Sequence, residues 1–400
     1  MLGRKTAKNI KILMITDCLR TVNNIFMETF LLAFIFKYTK HNATEVGIYH
    51  FMTYLAVLIV AYFSGNWLKR GNRILMYQVG VILTCTYMLI FMFFKENIVH
   101  FLPLCGLIFG TKIALRAFPF NLIVADNVGQ ERLIAFKGYV EGLKGILRIV
   151  VPIVLGILFT YGSHFGTVTA LTVLCFVELF VFSLIKARPR KNASRFSIPV
   201  YWRRAKGIKC IKELYWLEVC RGMTIDGTLG TLIILYIVYL FKTDFNLGMI
   251  TSAFFVVTII IHFLFGRFCK YNYFSRILLM TAGAMVLAVI LFLLLPNKET
   301  FILYNFCFTV VVQILGSIVD INMFNISNQP MVTRYKCEYF AVREMFLNMG
   351  RLISYTLLIV AGLWNNFLLI KYLLVLLTVV LFLMCTICIK LNRELNENHQ

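Results

Sequence analysis

Four apolar stretches of this chain carry side chains that can hold charge or exchange a proton. The first has Asp17, Arg20, Asn23, Asn24 and Glu28; the second has Lys112 and Arg116. The third has Glu218, Arg221 and Asp226; the fourth has Gln313, Asp320, Asn322 and Asn325. A charge at the centre of a bilayer costs about 2.5–3.5 kcal/mol on insertion scales, so it is kept where it is paired, solvated in a cavity or put to work. Helical spacing groups these residues. Asp17, Arg20, Asn24 and Glu28 recur every three or four positions and share a face, as do Gln313, Ser317 and Asp320, while Lys112 and Arg116 are one turn apart. Asp226 is the exception: it lies well around the helix from Arg221.

The chemistry that fits is binding and proton exchange. Glu28 and Asp226 fall near mid-depth. Glu28 is the first candidate for a carboxyl group that takes up and gives off a proton; the alternative is a static ion pair with Lys112 or Arg116. Lys112, Arg116 and Arg20 make the first half's cavity cationic, and Asp226 and Asp320 make the second half's anionic. An anionic or zwitterionic solute suits that arrangement, unless the charges satisfy each other. Asn24, Glu28, Lys112, Arg116, Asp226, Gln313, Asp320 and Asn322 are therefore the expected lining of a solute and proton cavity.

A second constellation repeats along the chain: Asp17 with Arg20, Glu141 with Arg148, Glu218 with Arg221, and Glu344 with Arg351. Acids at helix N-termini gain a few tenths of a kcal/mol from the helix dipole. That accounts for the acids but not for arginines one or two turns deeper. These pairs are expected to close a cytoplasmic gate. His50, His262 and Glu178 are lone polar residues in apolar runs, with no assigned role.

Other chemistries have no residues to support them. P-loop, GxSxG, HExxH and paired-cysteine metal patterns are absent from the sequence, and nothing in it calls for a cofactor or a metal. Of eleven cysteines, eight lie in or near apolar runs and Cys210, Cys269 and Cys337 lie in basic connectors, which gives no disulfide framework. Cys385 and Cys388 form a CxxC inside an apolar run, without a second pair.

Transmembrane helices must position these groups. Apolar residues make up 60% of the 400-residue chain and charged residues 14%, against roughly 25% charged in soluble domains. Each crossing needs about 20 apolar residues and must be helical, because lipid offers backbone groups no partner. Twelve spans are expected, at roughly 15–37, 46–67, 74–94, 98–121, 142–162, 167–185, 214–240, 246–265, 277–295, 301–325, 345–363 and 367–389. The net charge of +22 does not call for nucleic acid, because Lys and Arg collect in cytoplasmic loops. One set of connectors holds Lys5, Lys8, Arg70, Arg73, Arg132, Arg267, Arg276, Arg334 and Arg393; the other holds little beyond Lys37, Lys40, Lys95, Lys242 and Lys298. Both termini and the central loop are thus expected in the cytoplasm of a plasma-membrane protein, with the first helix uncleaved. The central loop carries an aromatic-basic patch at Tyr201, Trp202, Arg203 and Arg204, suited to a solvated connector or to a segment lying on anionic headgroups.

The chain also repeats. Asp17-x-x-Arg20 matches Glu218-x-x-Arg221 and Gly47 matches Gly248, both at an offset of 201. Gly65 and Lys69 match Gly266 and Lys270 at the same offset, and Arg73-Ile74-Leu75 matches Arg276-Ile277-Leu278 at 203. Phe120-Asn121 matches Phe324-Asn325 at 204. Six spans per half is an even number, so the copies share one topology. The expected organisation is a six-helix bundle over 1–185, a basic cytoplasmic linker over 186–213, and a second six-helix bundle with a short tail over 214–400.

This architecture resembles the major facilitator superfamily. That family carries a signature after its second helix: Gly, an acid four residues on, then Arg, Gly and further basic residues. Here the segment reads Gly65-Asn66-Trp67-Leu68-Lys69-Arg70-Gly71-Asn72-Arg73, with Lys69 at the acidic position and Lys270 in the second copy, so the family's Asp-centred gate contact does not carry over. Val151-Pro152 followed by Gly156 departs from the family's drug/proton antiporter signature. The resemblance implies an all-α, twelve-helix membrane fold of two pseudo-symmetric bundles, with spans one, four, seven and ten lining a cavity. It implies secondary active transport of a small solute by alternating access, with a proton as candidate coupling ion. The chain is expected to be a non-enzymatic monomer among membrane lipids. A lipid flippase is the alternative function, ahead of a non-transporting receptor or an intramembrane enzyme.

Overall fold

The computed structural model describes residues 4–27, 43–69, 72–128, 130–161, 164–185, 196–233, 244–269, 273–364 and 367–397. Helices make up almost all of it. In chain order they are α1 Arg4–Ile25, α2 Ala43–Phe63, α3 Gly65–Lys69, α4 Arg73–Phe94, α5 Leu102–Asn127, α6 Gln130–Tyr161 and α7 His164–Ser183. A short α8, Ile198–Ala205, occupies the central linker. The rest are α9 Lys209–Met223, α10 Asp244–Phe268, α11 Phe274–Leu294, α12 Lys298–Ser327, α13 Pro330–Arg334, α14 Lys336–Leu363 and α15 Phe367–Glu397. Among the described residues, eight helices are long and apolar enough to cross a membrane, and Ala253–Phe268 of α10 is a shorter apolar helix. Outward faces match that solvent. On α11, Leu279, Met280, Leu287 and Leu294 are exposed while Leu278, Met285, Ala288 and Phe292 are buried. A row of exposed leucines is a liability in water and the natural surface towards acyl chains.

By contacts the residues divide into two compact units. One comprises 1–129, 146–202 and 327–348; the other comprises 130–145, 203–326 and 349–400. In the first unit α5 packs on α2 and α4, and α7 on α1 and α4. The α2–α5 seam depends on Gly106 and Gly110. A Cβ at these positions would lie 2.5 Å from the Tyr49 carbonyl oxygen and 1.9 Å from that of Thr53, so only glycine lets the backbones meet. In the second unit α9 and α11 pack on α15. There Gly138 of α6 lies against Gly266 of α10, and Gly350 of α14 sits where a Cβ would be 2.1 Å from the Val219 carbonyl oxygen.

The linker is docked rather than solvated where it is described. Phe196 presses its ring onto Gly65, and the Ser197 amide donates to the Glu338 carboxylate at 3.3 Å. Along α8, Tyr201 is buried and packs near Tyr335, Trp202 stacks on Phe346, and Arg203 and Arg204 stay exposed.

Candidate functional site

In the first unit the charged spans close on themselves. Arg116 of α5 is ion-paired with Glu178 of α7, and both are buried. The same carboxylate accepts from the Tyr77 hydroxyl at 2.5 Å and from the Asn23 side chain at 3.1 Å, while Arg116 also donates to the Thr84 hydroxyl at 3.2 Å. Tyr77 is stacked on Phe182, ring centroids 3.6 Å apart, so the cluster is walled by aromatic rings. Lys112 is buried one turn away, its ammonium 4.2 Å from the Phe109 ring centroid. Asn24 is half-buried on α1. Glu28 lies outside the described residues. Arg116 therefore has a static carboxylate partner, and it is Glu178 of the sixth span. An isolated acid in an apolar span had to have a partner, but its identity depends on how α1, α4, α5 and α7 are rotated about their axes.

In the second unit the seventh span is interrupted. α9 ends at Met223, residues 224–227 form turns, and helix resumes over 228–233. Across the turns the Asp226 amide reaches back to the Arg221 carbonyl at 3.1 Å and the Gly227 amide to that of Thr224 at 3.3 Å. Glycine is required at 227, where a Cβ would lie 2.0 Å from the Gly222 carbonyl oxygen. The turn overturns the expectation that Asp226 points away from Arg221. With the helix broken, the carboxylate comes back to the Arg221 Nε at 2.7 Å, while the Arg221 Nη1 holds Asp320 of α12 at 2.6 Å. Arg351 of α14 completes the group. Its Nε donates to the Asp226 carbonyl at 3.0 Å and its Nη2 lies 3.7 Å from the Asp226 carboxylate.

The remaining residues of interest are placed as follows. Gln313 pairs with His262 of α10 at 2.9 Å. Asn322 is fully buried and donates to Asn392 at 2.6 Å, inside the second unit's packing. Among the expected gate pairs, Asp17 and Arg20 meet each other. Glu141 takes the Lys144 ammonium at 2.7 Å, and it belongs to a different contact unit from Arg148. Glu344 takes Arg343, also at 2.7 Å, while Arg221 and Arg351 turn to Asp226; the buried Glu218, one turn earlier on α9, acts on Arg221 through its charge.

One ionic group was not anticipated. Asp126, at the end of α5, bridges Arg73 at 2.5 Å and Lys336 at 3.2 Å; the Lys336 ammonium also reaches the Ala125 carbonyl and the Asn328 side chain. Arg73 stood out only as a loop cation, and Asp126 and Lys336 are 210 positions apart, so no local pattern relates them.

Comparison with known proteins gives the family. The Major Facilitator Superfamily model matches residues 14–355, and the chain belongs to that family. It is 22% identical over 343 residues to the uncharacterised protein YqgE of Bacillus subtilis (strain 168), covering 82% of this chain and 76% of that one. Among solved structures it is similar to a bacterial homologue of the iron transporter ferroportin in an outward-facing state, with TM-score 0.70 and 15% identity, over 97% of this chain and 99% of that one. It is also similar to the human organic anion transporter MFSD10 (TETRAN), with TM-score 0.65 and 12% identity, over 96% and 100%. These likenesses establish the twelve-helix fold. The chain is a multi-pass membrane protein of a transporter family.

Proposed function

We propose that this protein is a secondary active transporter that carries a small solute by alternating access, and that the solute binds at the break in its seventh span. The observation that supports this is the convergence of Arg221, Asp226, Asp320 and Arg351 on the turn at 224–227. Discontinuous helices with unsatisfied backbone groups and nearby charges are how transporter folds build a site at membrane depth. The four side chains are partly exposed, unlike the Arg116–Glu178 pair, so a solute can reach them.

In the same reading, the two six-helix halves of the chain alternate the access of that site. The basic connectors support a cytoplasmic position for both termini, and the plasma membrane is the expected location. The Arg73–Asp126–Lys336 group, at the ends of α4, α5 and α14, and the Asp17–Arg20 pair inside α1 act at the cytoplasmic gate. Asp226 and Asp320 are candidates to couple a proton, together with Glu28.

Reconstituted proteoliposomes test the reading. Counterflow of a solute that binds the purified protein is expected, and Asp320→Asn should abolish it while leaving a folded, monodisperse protein. Undiminished flux in that variant moves the site elsewhere. Flux measured with and without a pH gradient, in wild type and in Glu28→Gln, assigns or removes the proton.

A further inference from the structure

The first helices of the two halves share more than their acid–Arg pairs. Lys5, Lys8 and Lys11 match Lys206, Lys209 and Lys212 at the same offset of 201 that aligns Asp17 with Glu218. One turn beyond each lysine ladder, Ile15 matches Trp216. Positions 8, 11 and 15, like 209, 212 and 216, are three and four residues apart, so each set lies on one face of its helix.

In both copies that face points away from the protein. Along α1, Asn9, Ile12, Leu13 and Thr16 are buried, while Lys8, Lys11 and Ile15 are exposed. Along α9, Ile211, Leu214, Tyr215 and Leu217 are buried, while Lys209, Lys212 and Trp216 are exposed. Ile15 is 51% exposed and Trp216 56%. Each apolar residue lies roughly 6 Å along the helix axis from the last lysine of its ladder. That is about the thickness of one headgroup layer over the hydrocarbon core. Tryptophan is enriched at that boundary.

Retention of cations on one side of the membrane calls for lysines in these segments, but not for lysines on a single outward face in both copies. Among the described residues, Lys8, Lys11, Lys206 and Lys212 have no ion pair. Lys209 is bridged to Glu394 and still has 67% of its side chain exposed. Glu213, beside Lys212, is buried and holds Lys390 at 2.5 Å. The second copy carries further cations. Arg203 and Arg204 precede it and are exposed. Short turns fix the chain between them and α9: the Ile208 amide donates to the Ala205 carbonyl at 2.9 Å, and the Lys212 amide to the Ile208 carbonyl at 3.1 Å.

We propose that the two ladders are binding surfaces for anionic phospholipids, on the side of the membrane that the basic connectors mark as cytoplasmic, and that the second is the stronger. The lipid phosphate meets the lysine ammonium groups, which reach headgroup level on apolar stems. The acyl chains lie along Ile15 or Trp216. The partner is a lipid and not a dissolved phosphate, because an exposed apolar residue continues each ladder on the same face. The proposal does not depend on which solute is carried or where it binds. It ties the first helix of each half to the charge of the leaflet around it.

The test uses the full-length protein purified in a neutral detergent. Its melting temperature is followed on adding dioleoyl phosphatidylglycerol, dioleoyl phosphatidylcholine or inorganic phosphate. Phosphatidylglycerol should raise it at concentrations where the other two do not, and added salt should weaken the effect. Lys206→Gln with Lys212→Gln should weaken the response about tenfold or more, at roughly fivefold for each cation lost near the surface. Lys8→Gln with Lys11→Gln should weaken it less, and the fourfold variant should abolish it. Arg267→Gln with Arg276→Gln removes two exposed cations from another basic connector and should leave it unchanged. The melting temperature and gel-filtration profile of each lipid-free variant show that it is folded.

An equal loss in the Arg267/Arg276 variant would overturn the ladders in favour of overall positive charge. Phosphatidylcholine acting as strongly as phosphatidylglycerol would remove the role of the lysines, and inorganic phosphate acting as strongly would remove the lipid. No shift with phosphatidylglycerol, or an undiminished shift in the fourfold variant, would overturn the proposal outright.

Discussion

The fourth and tenth spans occupy equivalent places in the repeat, yet they carry opposite charges in opposite surroundings. The offset of 204 that aligns Phe120 with Phe324 also aligns Arg116 with Asp320. Arg116 meets Glu178 between continuous helices, where their side chains are 4% and 0% exposed. Asp320 meets Arg221 beside a broken helix, at 21% and 12%. One framework has thus produced a sealed ion pair and an accessible one. A buried pair braced by further hydrogen bonds holds helices in one rotation, and removing either partner strands the other. A half-exposed set can exchange partners with a solute at small cost. The contrast fits the proposed division of labour, with structural work for the first cluster and binding for the second.

The comparison can be broken most sharply at Glu178. Glu178→Ala leaves Arg116 buried and unpaired, and stability should fall by about 3–5 kcal/mol. Chemical unfolding in detergent micelles measures this; an unchanged unfolding midpoint would mean the pair carries no structural load. The double substitution Glu178→Leu with Arg116→Met removes both charges and should regain much of the loss.

At the break itself, Gly227→Ala forces a Cβ towards the Gly222 carbonyl. It should cost about 1–3 kcal/mol, the usual range for overpacking, and depress counterflow further than the lost stability explains. Normal flux in a folded Gly227→Ala protein would separate the turn from transport.

Asp320→Asn should change stability by only about 1 kcal/mol, the scale of a single hydrogen-bonded partner, while counterflow is lost. If its stability loss matched that of Glu178→Ala, the two clusters would be doing the same structural job and the contrast would fail. The smallest effect is expected at the linker. Trp202→Ala removes the stack on Phe346 and should lower stability by about 0.5–1.5 kcal/mol, with counterflow unchanged.

Much of this molecule is legible in its sequence, and the missing parts have a common cause. The apolar runs place helices correctly: the expected span at 74–94 is α4 at Arg73–Phe94, and that at 277–295 is α11 at Phe274–Leu294. Polar residues in spans one, four, seven and ten mark where ionic clusters form. Gly106 and Gly110, four apart, signal a close helix contact. Glu178 is visible as an acid in an apolar run, but its partners come from α1, α4 and α5, up to 155 positions away. The interruption at 224–227 hides within an apolar stretch, and only the two flanking glycines hint at it.

Composition and spacing by themselves determined that this chain is a stack of membrane helices in two matched sets, because lipid leaves the backbone no other way to satisfy its hydrogen bonds. They also determined that its charges had to be answered somewhere. Tertiary structure alone decided which charges answer which. An ion pair across helices depends on the rotation of each helix and on where one of them stops. Those are set by close packing at Gly106, Gly110, Gly227 and Gly350, over distances that a linear period does not record.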